Sequence, residues 1–98
     1  MTTKVITRLV HLQITIDRCA DFEAFVGPRM GRIAAQPGCL GVRLLHGQPG
    51  HYFTVSEWVE EKDLEAYRDS SLFAEIWPTV KPWFAAKAEA WTTTQIPF

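Results

Sequence analysis

The chain has 98 residues, 47% of them hydrophobic and 21% charged, a size and balance that describe one folded globular domain with no room for a second core. Its 10 Lys and Arg against 11 Asp and Glu leave no basic field for phosphate backbones or anionic lipid, so no nucleic-acid or membrane partner is expected. The 2 cysteines, Cys19 and Cys39, form no Cys-x-x-Cys or Cys/His cluster, which argues for small buried thiols and against a metal site.

Met1 to Arg8 lacks a continuous apolar run, and no stretch approaches the roughly 18 apolar residues of a membrane span, so a cytoplasmic protein is expected. From about residue 4 to 16 the sequence alternates. Ile6, Val10, Leu12, Ile14 and Ile16 fall on one face, and Thr7, Leu9, His11, Gln13 and Thr15 on the other, which predicts a long half-buried strand. From about Cys19 to Gln36 the period lengthens: Phe22, Phe25, Val26, Met30 and Ile33 make the apolar stripe of a helix, with Asp17 or Asp21 able to cap its start. Pro28 removes a backbone donor inside that stripe and predicts a kink or break near Gly27-Pro28.

Pro37-Gly38 ends the helix, and a second strand is expected from about Leu40 to His46, with Leu40, Val42 and Leu44 on one face. Gly47-Gln48-Pro49-Gly50 reads as a hairpin turn into a third strand, about Tyr52 to Val59, rich in aromatic and β-branched residues. Glu60 to Ser70 is charged and helix-favouring, and Ser71 to Lys87 carries a heavy stripe of Leu72, Phe73, Ile76, Trp77, Val80, Trp83 and Phe84. Pro78 and Pro82 predict short helical pieces there, each proline near a first turn, before a last strand from about Glu89 to Ile96.

The order β-α-β-β-α-β is that of an α+β, ferredoxin-like domain, in which a four-stranded antiparallel sheet carries both helical segments on one face. The other face would expose Val5, Leu9, Leu45 and part of the third strand's aromatic set. A homodimer packed sheet against sheet is therefore expected. The alternative is a monomer whose second face is polar, since His11, Gln13, Thr15 and Arg43 lie there too.

Gln36-Pro37-Gly38-Cys39-Leu40-Gly41-Val42-Arg43-Leu44-Leu45, then Glu57-Trp58, then Tyr67-Arg68-Asp69-Ser70-Ser71-Leu72-Phe73 resemble the antibiotic biosynthesis monooxygenase family in order and spacing over nearly the whole chain. The resemblance implies a dimeric α+β barrel, with an apolar pocket between sheet and helices in each subunit. It also implies an oxidoreductase that acts on phenolic or quinol-type, polyketide-like aromatics with dioxygen and no cofactor. Relatives with a His-x-x-Ser-x-x-Phe run have histidine where this chain has Tyr67. The heme-degrading branch relies on Asn, Trp and His; the first strand here has no asparagine, and that role is not expected.

Such chemistry needs a planar apolar site, donors for a phenolate and a route for a proton. Trp58, Tyr67, Trp77, Trp83 and Trp91 can supply aromatic walls with polar tips, or simply core packing. Tyr67, Trp58 and His11 are the candidate catalytic residues. The Tyr67 hydroxyl could donate to an oxyanion or reach water, and His11 could act as a base or sit satisfied at the dimer interface. Arg43, Trp77, Trp91 and Phe73 are the candidate substrate contacts, Arg43 holding an anion or pairing with a carboxylate across the dimer. His46 and His51 read as solvated turn residues, and Ser56 and Ser70 lack the context of a hydrolase nucleophile. The competing functions are a non-redox cyclase or isomerase in the same pocket, and a small-molecule-binding or stress-response protein without turnover.

Overall fold

A computed structural model describes residues 5–98 of the chain. Its first element, β1 (Ile6–Gln13), is shorter than the alternation predicts. Ile14 makes only an isolated bridge to Phe84, and Thr15 turns the chain into a 3-10 turn at Ile16–Arg18. Ile16 thus leaves the strand and is 67% exposed. The expected strand start at residue 4 lies outside the described residues.

Helix α1 (Cys19–Val26) runs on directly from that turn. Neither Asp17 nor Asp21 caps it, because the turn itself supplies the helical entry; Asp21 instead pairs with Arg18 at 3.0 Å. The expected break is a 3-10 turn at Gly27–Arg29, after which α2 (Met30–Ala34) resumes. Proline tolerates the first residues of a helical turn but not its interior, which is why the break falls there.

Strand β2 (Cys39–His46) opens after Gly38, whose φ of 79° is the left-handed conformation that glycine adopts without strain. A Cβ there would collide with the Asp63 side chain. The turn through Gly50, at φ 84°, leads into β3 (His51–Trp58). Asp63 in turn accepts the Glu60 N–H at 3.2 Å and starts α3 (Glu61–Arg68), while Ser70 Oγ accepts the Phe73 N–H at 3.2 Å and starts α4 (Ser71–Val80).

Pro78 lies inside α4 and does not divide it, contrary to expectation. Its missing N–H would have served the carbonyl of Ala74, an exposed residue, and α4 ends two residues later, so the lost bond falls at a wet helix end. Pro82 behaves as expected, in the first turn of a 3-10 segment at Lys81–Trp83. Strand β4 (Glu89–Thr94) completes the chain's elements.

The four strands form one antiparallel sheet in the order β2-β3-β1-β4, the ferredoxin-like α+β arrangement. One face carries the helices: Phe22, Val26, Ile33, Leu72, Ile76 and Val80 pack on Leu12, Ile14 and Tyr52. Arg29 and Arg32 of the first helical arm hold Glu75 of α4 at 2.7 and 2.9 Å, and these guanidiniums keep its carboxyl below the usual range. The opposite face is not covered by any element among the described residues; Leu9, Leu45, Phe53 and Trp91 are 36–47% exposed there. No helix among the described residues is long and apolar enough to cross a membrane.

Candidate functional site

The middle of the helix-facing sheet surface is built from small side chains. Val10 of β1 stands between Thr54 and Ala90, and the next pair along, Ser56 and Thr92, flanks the one long side chain there, Arg8. Helices resting on the bulkier Leu12, Tyr52 and Trp58 around this patch cannot descend to fill it. A cavity of about 300 Å³ results, at the low end of the roughly 300–1,000 Å³ of small-molecule sites. Phe22 and Val26 of α1, Met30 and Ile33 of α2, and Leu64 of α3 wall it with Ile76 and Val80 of α4.

Tyr67, Phe73 and Trp77 form its aromatic side. They belong to a continuous row of rings. Trp58 stacks on Tyr67 with centroids 5.4 Å apart, Tyr67 meets Phe73 edge-on at 5.5 Å, Phe73 stacks on Trp77 at 5.6 Å, and Trp77 meets Phe84 edge-on at 5.4 Å. Offset-stacked and edge-to-face pairs are the geometries that aromatic quadrupoles favour, so the row holds its members in fixed orientation.

The polar side chains of the lining are Arg8, Thr54, Ser56, Tyr67 and Arg68, with the indole N–H of Trp77, and no carboxylate or imidazole among the described residues joins them. Trp58 is fully buried and donates its Nε1–H to Ser56 Oγ at 2.9 Å. That bond uses an acceptor site of Ser56 and leaves its hydroxyl proton with no acceptor among the described residues. Burial pushes the Tyr67 phenol up to about 12, with the Cys39 thiol nearby adding to the rise, so the hydroxyl stays protonated and acts as a donor. Burial also raises the Cys39 thiol, against the smaller opposing pull of a backbone hydrogen bond at Gly41, which makes it a poor nucleophile.

The structure brings together three of the seven residues singled out in the sequence, Tyr67, Phe73 and Trp77, with Trp58 behind them in the core. His11, Arg43 and Trp91 stand on the opposite, uncovered face of the sheet: Arg43 is in register with Val55, and Trp91 with Leu9. On that face His11 Nε2 lies 3.0 Å from His51 Nδ1, its ring stacks on Phe53 at 4.8 Å, and its Nδ1 is 3.5 Å from Glu89. His51 is therefore a partnered strand residue, not a solvated turn residue, because hairpin pairing sets it beside His11 and Gln13. His46 is exposed, as expected, with its ring over Tyr52 at 4.8 Å. Sequence reasoning missed Arg8 and Arg68. Arg8 was detectable as a charge interrupting the core-facing run from Ile6 to Ile14.

Residues 5–78 match the family model of antibiotic biosynthesis monooxygenases. Among solved structures, the chain is similar to a conserved protein from Methanosarcina mazei Go1 (TM-score 0.87, 17% identity, 94% of this chain and 93% of that one covered). It is similar also to an antibiotic biosynthesis monooxygenase (TM-score 0.88, 16% identity, 94% and 99% covered) and to Rv0793 from Mycobacterium tuberculosis (TM-score 0.88, 12% identity, 96% and 97% covered). At these identities the likeness is one of fold. No curated protein matches the chain in sequence.

Proposed function

The chain belongs to the antibiotic biosynthesis monooxygenase family, and from that premise we propose that it oxidises a compact phenolic or quinol-type, polyketide-like aromatic with dioxygen, without a metal, flavin or nicotinamide. The observation that carries this reading is the cavity of about 300 Å³ floored by small side chains and walled by Tyr67, Phe73 and Trp77. A flat ring system fits against those rings, while the apolar remainder of the lining excludes water and favours dioxygen.

The polar lining suits the first step. A phenol held beside guanidinium and hydroxyl donors ionises more readily, because those groups stabilise its anion, and its proton passes to solvent. The electron-rich phenolate then supplies its own electrons. At an activated ring methylene, the carbon loses two hydrogens and gains one oxygen atom as a carbonyl. The second oxygen atom leaves with those hydrogens as water, and the four electrons taken up by dioxygen come from that carbon. Tyr67 donates a hydrogen bond to the oxyanion throughout.

A cyclase or isomerase in the same cavity would need a group to take and return a proton, and among the described residues the lining contains no carboxylate or imidazole. That favours the oxidation. Oxygen uptake by purified, metal-free protein with a panel of anthrones and hydroquinones tests the reading: uptake above background is expected with at least one of them, and none with any would overturn it. We propose further that two copies pair through their uncovered sheet faces, where Leu9, Leu45, Phe53 and Trp91 would leave water together.

A further inference from the structure

Arg8 and Arg68 both line the cavity, one from the central strand β1 and the other from the last turn of α3. Neither has a carboxylate within 4.0 Å among the described residues, and of the described cations these two are the ones that line the cavity. Arg8 spends one N–H on Thr92 Oγ1, at 2.7 Å, and keeps the rest of its guanidinium. Burial, and after it the positive charge of Arg68, pull Arg8 below its ordinary range. The two cations thus repel one another where an exposed Arg68 and a half-buried Arg8 border a largely apolar hollow, and a bound anion would relieve that repulsion.

The hydroxyls of Thr54, Ser56 and Tyr67 share the lining, and all of its polar side chains can donate while none carries negative charge. A phenol that has yet to ionise would leave both guanidiniums without a counter-charge. We propose that the substrate is an aromatic acid, its carboxylate held between the Arg8 and Arg68 guanidiniums at one side of the cavity and its ring laid against Phe73 and Trp77. The proposal rests on the cavity being the substrate site, and it adds that a permanent anion selects what enters. Arginine matches a planar carboxylate through paired N–H donors, so recognition is geometric as well as electrostatic.

The test compares 1-hydroxy-2-naphthoate with its methyl ester by titration calorimetry, with oxygen uptake on the panel of anthrones and hydroquinones measured in parallel. The acid is expected to bind at least tenfold more tightly than the ester, with an affinity that falls as salt rises. Arg8→Gln and Arg68→Gln should each weaken the acid about tenfold and leave the ester unchanged, the ester also showing that each variant is folded. Arg68→Gln, on an exposed helix residue, stands as the second measurement if Arg8→Gln does not fold. Equal affinity for acid and ester, no binding of either, or acid binding indifferent to both substitutions would overturn the proposal. Acid binding without oxygen uptake would support it and remove the oxidation reading, whereas oxygen uptake with ester and acid bound alike would do the reverse.

Discussion

Tyr67 shows how much one position decides. Its ring is fixed between Trp58 and Phe73 while its hydroxyl reaches a cavity with no competing base. Tyr67→Phe keeps the packing and deletes one donor to the oxyanion. Turnover is expected to fall about 100-fold with KM little changed, measured by oxygen uptake; an unchanged rate would clear Tyr67 of any part in the chemistry. The same hydroxyl makes a statement about stability. A phenol raised from 10 to about 12 by folding contributes stability that is complete below pH 10 and lost as pH rises through 12, and burial moves Tyr52 the same way. Urea midpoints should therefore hold level up to about pH 10 and fall above it, less steeply in Tyr67→Phe than in the wild type. A midpoint that climbs between pH 10 and 12 would contradict the burial of both phenols.

At the scale of elements, much of this architecture is legible in the sequence because local signals and tertiary needs agree. Pro37-Gly38 and the turn ending at Gly50 each demand a backbone that few other residues adopt, and both glycines have positive φ. Gly27-Pro28 interrupts its helix for a different local reason, the backbone donor that Pro28 lacks. Pro78 misleads because its effect depends on how soon α4 ends, which local chemistry does not specify. The cavity floor was harder still: Thr54, Ser56 and Ala90 come from two strands far apart in the chain and meet only through the register on β1. Periodicity sets His11 and Arg43 on the face away from the helices, and register on β1 adds Trp91 to that face, so all three stand apart from the hollow that Tyr67 lines. Gly38 links two of these elements, since the Asp63 it must avoid also starts α3. Gly38→Ala should cost about 2 kcal/mol in chemical denaturation and weaken aromatic binding by shifting Tyr67 on α3. A loss of stability with binding intact would uncouple the loop from the site.

For the molecule as a whole, the two sheet faces divide the work. The helix side holds the hollow, and the uncovered side holds exposed apolar residues around the His11–His51 pair. Phe53→Glu introduces a charge in the middle of that open side and is expected to yield monomers by sedimentation, where the wild type is expected to sediment as a dimer. A wild-type monomer would remove the pairing from the account. Ala90→Leu works on the other side, filling the cavity from β4. It should leave the melting temperature equal or higher while abolishing binding of 1-hydroxy-2-naphthoate in calorimetry; a variant that still binds as the wild type does would locate the ligand elsewhere.

The row of rings from Trp58 to Phe84 carries a spectroscopic consequence. Five chromophores locked at 5.4 to 5.6 Å from their neighbours are close enough to couple their transitions, so the near-ultraviolet circular dichroism of this small protein should be intense and should vanish when the helices lift from the sheet. Any guest stacked on Trp77 becomes a sixth oscillator in the series, and its arrival is visible as a change of band shape before a single turnover has taken place.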